Sequence, residues 1–286
     1  MADGPVPMGV CYGPLHQDQG HNYTQADVEA DMAIIARHFK RIRTYSMQSP
    51  NQYNVGAASK NGIKVCLGTW VYHGNWAQTQ SEIDLALQQA ANSAGTVVHL
   101  ILGNEVDRQD TQKLEPSEVM QALQYAQGKT SSNPSLANIP VTTCFSGTVL
   151  QQPNSPWIGV VDACQQVVYL TVYPWYGGAQ PGNIDANMQW SYNNGMQQVE
   201  AQGKQVIIGE IGWPSDGGRE TTVQNEALNY NVTNAWVQGK NSLSKAFEAF
   251  WFEMFDEPWK TEEGPQGPHW GLYTSGANPV SKFPIP

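Results

Sequence analysis

Short β-branched and apolar runs alternate with longer amphipathic stretches from one end of this chain to the other. Eight runs read as strands, over residues 6–12, 40–45, 63–70, 96–106, 139–146, 166–173, 205–211 and 246–255. Between them the spacing predicts helices over 24–38, 52–60, 78–94, 116–129, 155–163, 184–202 and 221–238. Thr24 stands where an N-cap belongs, and Pro116 falls in a first turn, where its missing N–H is no loss. Alternation of strand and helix calls for a parallel sheet with helical crossovers. Eight strands in 286 residues favour an α/β fold closed into a (β/α)8 TIM barrel, which takes about 250 residues, over an open doubly wound sheet. No G-x-G-x-x-G follows the first strand, so the dinucleotide-binding open sheet lacks its phosphate cradle. No linker, low-complexity tract or repeat divides the chain, and residues 1–286 read as one barrel domain.

Composition narrows the partners. Charged residues are 14% of the chain, against roughly 25% in a typical soluble protein, and the net charge is −10. An acidic surface repels nucleic acid and anionic membrane, so neither is expected as a partner. Wetting then falls to Gln, Asn, Ser and Thr, and the 10 Trp and 12 Tyr call for a use beyond filling a core. Neutral polar surface with many aromatics suits a neutral polyhydroxyl ligand, and suits an ordinary extracellular protein equally. The longest apolar runs, 97–102 and 249–252, are strand-sized and far short of a membrane span. Residues 1–8 have no basic region followed by an apolar one, so they do not read as a signal peptide. Cys11, Cys66, Cys144 and Cys164 are widely spaced, three of them within strand-like runs, which predicts buried free thiols. Asn22-Tyr23-Thr24 and Asn231-Val232-Thr233 fit the glycosylation pattern, but such matches arise by chance in a chain this rich in Asn, Ser and Thr.

Barrel chemistry sits at the carboxyl ends of the strands. Those ends carry Tyr12-Gly-Pro, Arg43-Thr-Tyr45, Gly68-Thr-Trp70, Gly103-Asn104-Glu105-Val106, Phe145-Ser-Gly147, Tyr173-Pro-Trp175-Tyr176, Gly209-Glu210-Ile-Gly-Trp213-Pro-Ser215 and Phe255-Asp-Glu257-Pro-Trp259-Lys260. The amino ends carry mostly Lys, Gln, Val and Pro. Glu105 and Glu210 each end an apolar strand, where desolvation raises a carboxyl pKa toward the range of a general acid. One strand-end Glu reads equally well as a partner for Arg or backbone N–H. Two of them, on the fourth and seventh runs, can face one cleft from opposite sides, as glycoside hydrolysis requires.

In these residues the chain resembles glycoside hydrolase family 17. The motifs are Gly103-Asn-Glu-Val106, Gly209-Glu-Ile-Gly-Trp-Pro-Ser215 and Phe255-Asp-Glu-Pro-Trp-Lys260, with Gly9-Val-Cys-Tyr-Gly13 and Arg43-Thr-Tyr45. They run in the family's order over nearly the whole chain. The resemblance implies β-1,3-glucanase or β-1,3-glucanosyltransferase activity by a retaining mechanism, with Glu105 as acid/base and Glu210 as nucleophile. It implies a β-1,3-glucan or laminari-oligosaccharide substrate and a sugar acceptor; from the motifs the chain lacks, no cofactor or metal is expected.

The same chemistry gives the neighbours tasks. Asn104 can hold a sugar 2-hydroxyl or stabilise a turn. Tyr173 can orient the nucleophile. Glu257 and Lys260 resemble the family's charged pair beside the cleft, and read otherwise as a surface salt bridge. Arg43 either neutralises a carboxylate beside Glu210 or satisfies carbonyls at the barrel mouth. Tyr12, Tyr45, Trp70, Trp175, Tyr176, Trp213 and Trp259 lie at strand ends, where aromatic planes meet the C–H faces of sugars. Trp157, Trp190, Trp236 and Trp251 read as packing.

Other chemistries lack their motifs. The six His form no H-x-x-x-H or Cys/His cluster, no G-x-S-x-G elbow is present, and Cys144 has no activating partner. A glycosyl-enzyme can be released by a sugar or by water. Aromatics on several sides of the cleft, and a Phe-Asp-Glu-Pro-Trp-Lys segment closer to microbial members than to plant endoglucanases, favour a glucanosyltransferase. An endo-β-1,3-glucanase is the alternative, and a non-catalytic glucan-binding protein the second. The expected setting is secreted or cell-wall, and the expected state a monomer.

Overall fold

Each apolar run contains a strand, and most strands are shorter than their runs. In the computed structural model, which describes residues 6–17, 20–146, 150 and 154–286, the strands are β1 (Gly9–Cys11), β2 (Arg41–Arg43), β3 (Lys64–Thr69), β4 (Val97–Leu102), β5 (Val141–Thr142), β6 (Cys144–Phe145), β7 (Val167–Thr171), β8 (Gln205–Ile211) and β9 (Glu248–Trp251). Residues 1–5 of the leader reading and Gly147 at the end of the fifth run lie outside the described residues. All neighbouring strands pair in parallel, in the order β5-β4-β3-β2-β1-β9-β8-β7-β6. Nine segments arise from eight runs because the fifth breaks at Thr143.

That break is the seam of the barrel. β5 pairs with β4 and β6 with β7, so the two ends of the sheet order are successive in the chain. Thr143 spans them: its hydroxyl donates to the Leu102 carbonyl, and its own carbonyl accepts from the Tyr169 N–H at 3.1 Å. The sheet closes as a (β/α)8 barrel, as the alternation predicted.

Strand parity sorts the side chains into two cores. Cys11, Cys66, Ile101, Cys144, Val167, Tyr169, Ile207 and Phe250 pack together inside the barrel. Val10, Ile42, Val65, Leu100, Val168, Leu170, Ile208 and Trp251 face outward against the helices. All four cysteines are free and buried. Burial pushes the Cys66 thiol up to about 11 and the Cys144 thiol up to about 12, so both stay protonated near neutrality.

The crossovers are α1 (Gln25–Ile35), α2 (Asn54–Lys60), α3 (Trp76–Asn92), α4 (Pro116–Ser131), α5 (Ile158–Ala163), α6 (Asp185–Ser191), α7 (Gln197–Ala201) and α8 (Val223–Val237). Thr24 caps α1 in a reciprocal box with Asp27. The single helix expected over 184–202 is interrupted: a π-helical turn, Tyr192–Met196, joins α6 to α7. It contains Asn193-Asn194-Gly195, the weakest helix formers of that stretch. Trp157, Trp236 and Trp251 are buried, but Trp190 on α6 is 55% exposed and does not pack as expected. Among the described residues no helix is long and apolar enough to cross a membrane.

Candidate active site

Glu105 reaches the barrel mouth through a left-handed turn. Gly103 has φ 78° and Glu105 φ 48°, a region that costs a non-glycine residue about 1–3 kcal/mol unless its surroundings enforce it. A Cβ on Gly103 would lie 2.5 Å from Val106 Cγ1, so the turn needs glycine there. The Val106 N–H then bonds the Cys144 carbonyl at 3.1 Å, fixing the turn to the seam strand. Glu210 sits within β8 and is 3% exposed. The glycine before it leaves room for a guanidinium, because a Cβ on Gly209 would stand 3.2 Å from Arg43 Nη1.

The two carboxylates have different partners. Arg43, buried on β2, donates from Nη1 to Glu210 Oε1 at 2.7 Å and to the Gly209 carbonyl at 3.0 Å. Its Nη2 donates to Asn104 Oδ1 at 2.5 Å, which turns the Asn104 oxygen inward and leaves its NH2 for a ligand. The Tyr173 hydroxyl donates to Glu210 Oε2 at 2.6 Å. Tyr45 lies beneath Arg43, its ring centre 4.8 Å from Cζ. Glu105 accepts from the Thr171 hydroxyl at 2.6 Å and from Arg108 Nη1 at 2.9 Å. Burial first, and the charge of Glu210 second, raise the Glu105 pKa above the ordinary carboxylate value, while Thr171 and Arg108 oppose the rise.

Glu257 and Lys260 belong to a buried cluster. Lys260 Nζ lies 2.8 Å from Glu257 Oε2, as the pair was read, but also 2.8 and 2.9 Å from the two oxygens of Glu253. Nζ stands 4.4 Å over the Phe252 ring and 5.6 Å from the Trp259 ring. The surface salt-bridge alternative is thereby replaced by a desolvated triad. Glu253 escaped the sequence reading because it lies inside an apolar run; only a charge at an otherwise buried position could have drawn attention to it.

The aromatics divide. Tyr173, Trp175 and Tyr176 gather around Trp270, with ring centres 5.3, 5.8 and 5.7 Å from it. Tyr176 is 57% and Trp259 45% exposed. Trp270 was not expected, since it follows the last strand in a loop and no strand-end pattern reaches it. Two residues expected to touch sugar are placed elsewhere. Tyr12 is buried and its hydroxyl donates to Asp31 at 2.7 Å, and Trp213 is 1% exposed with Nε1 bonded to the Glu220 carbonyl. Both point from the strand end into the helix layer rather than the mouth. Trp70 is half-buried and makes none of the ring contacts of the Trp270 group. Its backbone N–H donates to Glu82, a buried α3 carboxylate that also accepts from the Met47 backbone N–H and so ties together the loops after β2 and β3.

Cys66, His99 and Glu248 bring ligand-type atoms within 4.8 Å of one another inside the barrel, toward the amino ends of the strands. Arg41 pairs with Glu248 there and supplies the cation itself. A depression of about 590 Å³ lies between α6 and α8, away from the carboxylates, and its own Asp185 is taken up by Trp236 Nε1 and Ser242.

A closed barrel with two carboxylates at its mouth, one held by Arg43 and Tyr173 and the other by Arg108 and Thr171, has the form of a barrel glycosidase. A family model described as the BtgE/BtgC glycoside hydrolase domain matches residues 9–271, and the chain belongs to that family. A putative glucan endo-1,3-beta-glucosidase btgC of Aspergillus niger is 24% identical over 98% of this chain and 42% of its own length. The chain thus spans about two fifths of the curated relatives of that kind. A glucan 1,3-beta-glucosidase of Arthroderma benhamiae is 26% identical over 95% of this chain and 88% of its own. Among solved structures, an active-site mutant of the Rhizomucor miehei β-1,3-glucanosyltransferase in complex with laminaritriose superposes with a TM-score of 0.76 at 22% identity, covering 97% of each chain. The fold resemblance to glycoside hydrolase family 17 extends to a β-1,3-glucanase and allergen of Cryptomeria japonica pollen, with a TM-score of 0.74, 16% identity and 98% of each chain covered.

Proposed function

We propose that this chain is a retaining β-1,3-glucan glucanosyltransferase. The observation that carries the reading is the unequal treatment of the two carboxylates: Glu210 is clamped by the buried Arg43 and by Tyr173, while Glu105 has the partly exposed Arg108 and the neutral Thr171, and burial and Glu210 raise its pKa. A raised carboxyl beside one held in an ion pair is what acid and nucleophile need. In the first step the Glu210 carboxylate attacks the anomeric carbon, the glycosidic C–O bond breaks, and the Glu105 proton passes to the leaving oxygen. In the second, Glu105 takes the proton of an acceptor hydroxyl, whose oxygen displaces Glu210 from the anomeric carbon. Asn104 offers its NH2 to the sugar 2-hydroxyl, and Tyr173 holds Glu210 in line. Tyr45, Trp175, Tyr176 and Trp259 form the sugar-facing wall, backed by the buried Trp270 and supported by Glu257 and Lys260. The reaction needs no cofactor or metal, and since both carboxylates and their partners come from one chain, a monomer suffices. The substrate class rests on the names of the relatives, and so does an extracellular or wall-facing site of action.

Those names also favour a second reading, in which water releases the glycosyl-enzyme and the protein is an endo-β-1,3-glucanase. Mass spectrometry of a defined laminari-oligosaccharide after incubation separates the readings. Products longer than the substrate support transfer, only shorter ones support hydrolysis, and no turnover leaves a glucan-binding protein. Glu105→Ala and Glu210→Ala are each expected to abolish turnover with the circular dichroism spectrum unchanged; near-native rates in either would overturn the roles.

A further inference from the structure

The two partners of Glu105 differ in kind. Thr171 is a neutral donor, whereas Arg108 is a cation three residues along the chain, with Nη1 2.9 Å from Glu105 Oε2. The other edge of the same guanidinium grips Asp110, Nη2 to Oδ2 at 2.7 Å and Nε to Oδ1 at 3.1 Å. The backbone fixes this arm: the Arg108 N–H donates to the Glu105 carbonyl at 3.0 Å, and the Arg108 carbonyl accepts from Gln112 N–H at 2.9 Å. One guanidinium therefore stands between a half-buried carboxylate and an exposed one. The Arg108 side chain is 39% exposed, so the guanidinium stands at the solvent edge of the site.

A guanidinium on a general acid presents a conflict. It opposes the protonated form that the first step consumes, and it favours the ionised form that the second step uses as base. Other groups facing Glu105 do not resolve this. Glu210 on β8 opposes ionisation, and Arg43 on β2 is taken up by Glu210 and Asn104. The Tyr173 hydroxyl is bound to Glu210, the Tyr176 hydroxyl accepts from Gln266, and the Cys144 thiol on β6 is neutral. Among the described residues, Arg108 is the cation in direct contact.

Resting on the reading of Glu105 as acid/base, we propose that Arg108 is a positioning residue that sets the ionisation of Glu105 between the two half-reactions, and that Asp110 meters how much of its charge arrives. When Glu210 becomes an ester its negative charge is gone, and Arg108 then completes the ionisation of the base. While Glu210 is free, Asp110 draws the guanidinium charge outward and lets Glu105 keep its proton.

The test is the pH profile of kcat/KM on a laminari-oligosaccharide at low ionic strength, in the full chain. Its basic limb reports loss of the Glu105 proton. Arg108→Gln lets the protonated form persist, and the limb moves up by about half a pH unit, the size expected of a partly exposed ion pair. Asp110→Asn removes the competing carboxylate, and the limb moves down; Arg108→Lys falls between Arg108→Gln and the parent. A structural role would lower rates without moving the limb, or move it the same way in both variants, and either result overturns the proposal. Asp110 is exposed, so its variant reports even if Arg108→Gln misfolds. If Glu105→Ala retains turnover, the acid/base reading itself fails, whatever the limb does.

Discussion

Arg43 and Glu210 form an ion pair closed to solvent on both sides, with Nη1 2.7 Å from Oε1 and each side chain at most 5% exposed. The same guanidinium holds Asn104 through its other terminal nitrogen, so one residue on β2 sets the geometry of groups at the ends of β4 and β8. Lysine offers no planar fork and reaches only one of these partners. Arg43→Lys is expected to lower kcat by about 10² or more, in the range seen when one preorganised electrostatic contact is lost. Steady-state kinetics check it. A fall confined to KM would mean that Arg43 acts on substrate binding and not on Glu210.

Among the described residues, Lys260 is the one cation in contact with Glu253 and Glu257 in their buried triad. Burial, then the neighbouring Glu257, push the Glu253 pKa well above the ordinary carboxylate value. Lys260→Met would strand two carboxyls in apolar surroundings and is expected to cost about 3–5 kcal/mol of stability. Adding Glu253→Gln should restore part of the loss, read as denaturant midpoints. Equal stability of Lys260→Met and the parent would remove the triad from the account of what holds the cleft.

Much of this was legible in the chain, because strand–helix alternation and a polar residue at the end of an apolar run are local signals. Glu105, Glu210, Arg43, Asn104 and Tyr173 meet at the mouth because each lies at or just past the carboxyl end of its strand. Orientation was less legible. Tyr12 and Trp213 stand at strand ends too, but a step of one residue in parity turns a side chain from the mouth into the helix layer. Trp270, Glu253 and Arg108 come from loops or from inside an apolar run, and no periodicity marks where a loop will fold back. The break at Thr143 was invisible for a related reason: it is set by the mismatch between β4 and β7, which pair with successive segments and not with each other.

Glu226 on α8 is fully buried, and Lys282, 3.5 Å away, is its counter-charge while also serving Asp256 at 2.7 Å. Burial raises the Glu226 pKa well above the usual value, against the pull of Lys282. A carboxyl raised in the folded state binds its proton more tightly there than in the unfolded chain. Its contribution to stability is full below the unfolded value of about 4.5 and is lost as pH rises through the folded one. Glu226→Gln should therefore raise Tm at pH 7 relative to the parent, with the gain vanishing near pH 4, because Lys282 keeps Asp256 as its partner. Thermal melts across that range measure it. A gain independent of pH would point to packing instead.

Tyr176 presents the most exposed ring of the group around Trp270, 57% open to solvent, and its hydroxyl accepts from Gln266 at 3.3 Å. A ring so held on one edge and free on its face is suited to stacking a sugar beyond the scissile bond, where an acceptor must wait in place of water. Removing it should leave the chemistry of Glu210 untouched while weakening acceptor capture. Tyr176→Ala is expected to shift products of a laminari-oligosaccharide from elongated toward shortened species. The concentration of added acceptor needed for half-maximal transfer should rise about fivefold, the equivalent of about 1 kcal/mol of stacking. Tyr176→Phe retains the face and loses only the Gln266 contact, so it should stay near the parent. If Tyr176→Ala lowers transfer and hydrolysis in equal proportion, the ring contributes to donor binding or to the fold, and the acceptor side of the cleft must be sought nearer Trp259, whose exposed ring adjoins Lys260.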